Sequence, residues 1–156
     1  MLSKPHHGWT TVTIKDFTAE AGYLDDIPFD WLLSCKNAFN NDYKTHHYLP
    51  IALHINEEPD ECMIVSHYDF THIIIGRGDD MTDTRCITYD DIDFMDIINM
   101  LLHDFKEYFE DWVKWSPYED TEEDFAKRRT ELKALIDDVE RLYLPEAKRY
   151  NKPYIE

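Results

Sequence analysis

Residues 93–115 read DFMDIINMLLHDFKEYFEDWVKW. Phe94, Ile97, Ile98, Leu101, Leu102, Phe105, Phe109 and Trp112 step by three, one, three, one, three, four and three. Such a period places one apolar stripe along an α-helix and predicts a helix of about 23 residues. Upstream the period is two. Leu49, Ile51, Leu53 and Ile55 alternate with Tyr48, Pro50, Ala52 and His54, which marks a half-buried strand. Residues 9–14, 17–23, 62–68, 71–75 and 85–89 carry similar β-branched or aromatic runs bounded by turn residues. Asp25-Asp26-Ile27-Pro28 caps an early helix over about residues 28–41. Downstream, Ser116-Pro117 and Thr121-Glu122-Glu123-Asp124 are two candidate caps for a last amphipathic helix, which Pro145 is expected to end or kink. The order predicts a single α+β domain: an antiparallel sheet of about five to six strands, an early helix, and two long C-terminal helices packed on one face.

The chain has 156 residues, with 16 Lys+Arg against 33 Asp+Glu and a net charge of −17. Its 43% apolar content is enough for a packed core and argues against a disordered acidic tail. The charge excludes direct grip on nucleic acid or anionic lipid, which need a basic face. No run is apolar enough to span a membrane, and residues 1–15 lack the core of a secretory signal. Three widely spaced cysteines, Cys35, Cys62 and Cys86, fit a reducing compartment, so a cytoplasmic location is expected.

The acid is unevenly spread. The net is −6 over residues 1–78, −13 over 79–140 and +2 over 141–156. On the last helix, Glu123 and Lys127, Asp124 and Arg128, and Asp137 and Arg141 stand four apart in the favourable order. On the preceding helix, Asp93, Asp96, Asp104, Glu107 and Asp111 fall within about 80° of arc. None of their neighbours four residues on is basic. Tyr108 and Trp115 flank this stripe. Unpaired acid steers encounter and aromatic rings carry affinity, so these seven residues are the candidate partner-binding site, with a basic protein as the partner.

Catalytic and metal signatures are weak. The sequence has no nucleophile elbow and no phosphate-binding loop. His54, His67 and His72 lie on predicted strands without the spacing of a metal site, and His6-His7 and His46-His47 are adjacent pairs that rarely share one ion. The reading is therefore a non-enzymatic protein without cofactor or metal. Two alternatives remain: a nucleic-acid-mimicking regulator, which uses the same physics with carboxylates in place of phosphates, and a metal-dependent enzyme built on the strand histidines.

The opening Gly8-Trp9-Thr10-Thr11-Val12-Thr13-Ile14-Lys15-Asp16-Phe17, followed by Ala21-Gly22-Tyr23-Leu24-Asp25-Asp26-Ile27-Pro28-Phe29, resembles small acidic bacterial proteins of the toxin-immunity type. The run Asp111-Trp112-Val113-Lys114-Trp115 is similar in style. The resemblance covers about two thirds of the chain. It implies an inhibitor that neutralises a toxin by binding it, and it carries over no catalytic residue.

Overall fold

The computed structural model describes residues 1–39, 48–57, 60–77, 83–115 and 121–154. Along the chain come β1 (Trp9–Ile14), β2 (Phe17–Gly22), α1 (Ile27–Phe39), β3 (Ile51–Glu57), β4 (Asp60–Ser66), β5 (Thr71–Arg77), β6 (Asp83–Tyr89), α2 (Phe94–Glu107), α3 (Phe109–Val113) and α4 (Glu122–Arg149). The architecture is α+β. The expected helix stop at Asn40-Asn41, the pair His46-His47, the loop beyond Gly78 and the cap at Ser116-Pro117 lie outside the described residues.

The strands form two sheets instead of one. β1 and β2 make a hairpin, and β3-β4-β5-β6 make a four-stranded antiparallel meander. β2 packs beside β3 without sharing a ladder with it. In the meander, Leu53 faces Ile64, Ile64 faces Ile73, and Ile73 faces Ile87 across the strands. This row points into the core. The period-two pattern dictates it, because a slip by one residue would turn every isoleucine outward.

The N-terminal segment adds to the β1–β2 hairpin. Leu2 bridges to Val12 and His6 to Trp9. Ser3 N–H donates to the Thr11 carbonyl at 2.9 Å, and Thr13 N–H to the Met1 carbonyl at 2.8 Å. His6 and Trp9 exchange both backbone hydrogen bonds, with His7 at φ +50° and Gly8 at φ +77° between them. Two positive φ angles at the centre of a two-residue loop match the twist of the strands on either side.

The long amphipathic segment is broken. α2 stops at Glu107, Tyr108 turns at φ −108° and ψ 32°, and α3 restarts at Phe109. The apolar period runs through the break because it records which side chains are buried, not which backbone bonds form. Phe105 and Trp112, on either side of it, meet edge to face at 5.1 Å. The capping box predicted at Thr121 is present, with Thr121 and Asp124 bonding each other's backbone N–H.

α4 continues through Pro145 to Arg149. Leu144 and Pro145 are exposed, so the carbonyl that proline leaves without a donor faces water. The helix ends with Asn151 at φ +52° and with Lys152 N–H donating to the Ala147 carbonyl at 2.9 Å. These are the marks of a Schellman cap, and they turn the tail back onto α2.

Ion pairs on α4 run along the helix, as between Lys133 and Asp137 and between Arg141 and Asp138, each at 3.0 Å, and others reach across the fold. Arg128 bonds Asp26 at 2.8 Å and lies over the Phe29 ring, and Arg129 takes Glu110 at 2.7 Å. Lys36 of α1 bonds Asp138 at 2.6 Å.

Gly8→Ala is expected to lower unfolding free energy in urea by about 1–3 kcal/mol. Its Cβ would lie 2.7 Å from Tyr23 Cδ1, at a backbone angle that L residues rarely adopt. A second expectation concerns acid. Lys36, then Arg141, hold the Asp138 carboxyl below its ordinary value. A lowered carboxylate contributes stability that is complete above the unfolded pKa, about 3.9, and is lost as pH falls through the folded value. Lys36→Ala should therefore flatten the loss of stability below about pH 4, read from urea midpoints across pH.

Candidate functional site

The five carboxylates of the stripe meet different surroundings. Asp93 caps α2 and accepts from the N–H groups of Met95 and Asp96 at 2.9 and 3.1 Å, and Asp96 accepts from Asp93 N–H at 3.1 Å. Lys152 lies 2.7 Å from Asp93 and 2.9 Å from Asp96. Burial works against the Lys152 charge, but the two carboxylates outweigh it and raise the amine above its ordinary value.

Asp104 is only 7% exposed. One oxygen accepts from Leu2 N–H at 2.6 Å, and the other lies 3.1 Å from His103 Nδ1. Glu107 is exposed and sits 3.6 Å from the same imidazole nitrogen. Its bond to the Tyr108 hydroxyl holds that phenol above its usual range. Asp111 lies 3.4 Å from Lys4.

The expected unpaired stripe is thus corrected. Asp93, Asp96, Asp104 and Asp111 take partners from the N-terminal segment and the tail, tens of residues away, where a four-residue spacing rule cannot see them, whereas Glu107 meets His103 one turn back. Asp104 is withdrawn from the surface. So is Trp115, at 2% exposure, whose indole N–H donates to the Asp25 carbonyl at 2.9 Å and whose ring meets Trp112 at 5.2 Å. Glu107, Tyr108 and Asp111 keep exposed or half-buried surface.

Among the described residues the strand histidines do not gather a three-ligand group, although the rings of His67 and His72 meet edge to face at 5.9 Å. His54 Nδ1 is 3.4 Å from Asp25, and its Nε2 is 3.9 Å from Glu61. His72 Nδ1 lies 2.8 Å from the Thr88 hydroxyl and 3.9 Å from Cys86 Sγ. His67 stacks with Phe70 and His72. Among the described residues, the group able to offer three ligand atoms within 4.8 Å of one another is His103, Asp104 and Glu107 instead. Sequence reasoning missed it. The one-turn spacing of His103 and Glu107 is the signal that could have found it. These three could hold a divalent cation, although Asp104 already spends one oxygen on Leu2.

The two edges of the meander differ. Along β3, Ala52 N–H donates to Ser34 Oγ at 3.0 Å, and Asn56 N–H donates to Asp25 at 3.1 Å. The His54 carbonyl accepts from the Trp31 indole at 3.0 Å. Side chains from α1 and the loop before it therefore occupy this edge. β6 is the other edge and pairs with β5. It is exposed from Asp83 to Cys86 and again at Thr88.

On the sheet face away from the core, Met63 and Ile74 stand opposite each other at 39% and 37% exposure. Exposed Cys86 stands beside Ile74 and His54 beside Met63 in register, and exposed Ala52 faces half-buried Val65 in the next row. This apolar patch continues to the open edge. Cys35, by contrast, is buried, and burial pushes its thiol up to about 12.

Comparison of the chain with protein-family models, with curated proteins and with solved structures found no match in any of the three.

Asp104→Ala should cost about 2–4 kcal/mol, because Leu2 N–H and His103 lose a buried partner. Glu107→Gln, on exposed surface, should stay within about 0.5 kcal/mol. Urea unfolding compares the two, and faster hydrogen exchange at Leu2 in the Asp104 variant would locate the damage.

Proposed function

We propose that the chain is a non-enzymatic binding protein whose partner is a basic protein, of the inhibitor or immunity type that the sequence resemblance implies. The observation that carries this reading is the outward face of the meander. It exposes Met63, Ile74, Ala52 and Cys86 as one apolar patch that runs to an open edge strand, in a chain of net charge −17. An apolar centre supplies affinity once water is displaced, and an edge strand offers backbone hydrogen bonds. The surrounding negative field draws in a basic surface and repels an acidic one. Glu107, Tyr108 and Asp111 form a second acidic contact region for the same class of partner.

The test begins with capture from the native cell at low salt, followed by reconstitution from purified components. A basic protein is expected, bound stoichiometrically and with a rate of association that falls as salt rises. Met63→Glu with Ile74→Glu should weaken the complex at least about 100-fold while urea midpoints stay close to wild type. Glu107→Lys with Asp111→Lys should slow association without that loss. Cys86 should react with an aromatic disulfide reagent in the free protein and be shielded in the complex. An acidic partner, or a complex indifferent to both pairs of changes, would sink the reading.

A further inference from the structure

A cleft of about 640 Å³ opens between the N-terminal turn and α3, lined by Lys4, His6, His7, Asp111, Lys114 and Trp115. Its charge runs against that of the chain. Asp and Glu outnumber Lys and Arg 33 to 16 overall, but among the described lining residues two lysines, with two histidines beside them, face one carboxylate. Asp111 is 3.4 Å from Lys4, and the side chain of Lys4 stays 62% exposed, free to reach a ligand.

The backbone of the rim is also unusual. His7 holds φ +50°, a region that asparagine or glycine occupies more cheaply in such a turn. Both imidazoles are exposed, with ring centres 4.1 Å apart, and they contribute nothing to the core. The turn needs its shape, but the shape does not need histidine. What histidine adds at this point is two nitrogen donors at the mouth of the cleft.

We propose that the cleft binds a small phosphomonoester carrying hydroxyl groups, a sugar phosphate in chemical class. Lys4, Lys114, His6 and His7 donate to the phosphate oxygens. Asp111 accepts from a sugar hydroxyl, a role that sets this ligand apart from a bare anion, which the carboxylate would repel. Trp115, 2% exposed, backs the cleft from the core side. The volume lies within the range of about 300–1,000 Å³ usual for small-molecule sites, and inorganic phosphate alone would leave most of it to water. The cleft shares no residue with the apolar sheet face but shares Asp111 with the second acidic region, so the Met63 and Ile74 changes test the protein partner and the Lys4 and Lys114 changes test the cleft.

Ribose 5-phosphate, inorganic phosphate and ribose are the probes, titrated into the full chain by calorimetry and by backbone amide NMR. Ribose 5-phosphate should bind saturably at one site, with shifts centred on residues 4–9 and 111–115. Inorganic phosphate and ribose should each bind at least about tenfold more weakly. Lys4→Ala with Lys114→Ala should weaken ribose 5-phosphate at least about tenfold without moving the urea midpoint. His7→Asn, which keeps a residue tolerant of the turn, should weaken it as well. No saturation below about 10 mM, undiminished binding by the lysine variant, or phosphate binding as tightly as ribose 5-phosphate would overturn the proposal.

Discussion

Helix α2 is fastened at both ends by its own carboxylates, and the rest of the molecule is arranged around that fastening. At the N-terminal end Asp93 and Asp96 close a capping box and grip Lys152 from the tail. At the other end Asp104, nearly out of solvent, receives Leu2 N–H from the N-terminal segment. Charged groups this poorly solvated are tolerable because each has a specific donor. The two extremities of the described chain are therefore docked on one helix by the same kind of bond. That docking gives the β1–β2 hairpin its third, partial strand and brings Lys4 to the side of α3.

Much of the fold is legible in the sequence. Alternation over Ile51, Leu53 and Ile55 sets which face of β3 is buried, and register with Ile64 and Ile73 follows. The Thr121 box is readable for a similar reason, since both of its partners lie within one turn. What cannot be read depends on groups distant in sequence. The division into two sheets turns on whether β2 and β3 share hydrogen bonds, which no periodicity encodes. The break at Tyr108 leaves the apolar period intact and so leaves no trace in it.

The candidate site fared differently from the fold for the same physical reason. A helical wheel locates carboxylates by angle and tests them against neighbours one turn away. Asp104 and Glu107 share an arc, yet one is buried against Leu2 and the other faces water. Arg128 is four residues from Asp124, yet it bonds Asp26, about a hundred residues distant. Charge balance along an element says little about charge balance in space when both chain ends fold back onto that element.

The contrast between the two edges of the meander bears on how the molecule keeps to itself. An open strand bordered by exposed apolar side chains is a template for pairing with any extended segment, another molecule of the same sequence included. β3 is shielded by Ser34, Asp25 and Trp31, while β6, at the other end of the sheet, is laddered among the described residues to β5. The surplus of seventeen negative charges opposes stacking of identical chains along that strand, over a range of about 8 Å at physiological ionic strength. Net charge here opposes a pairing that other sheets discourage with a bulge or a proline.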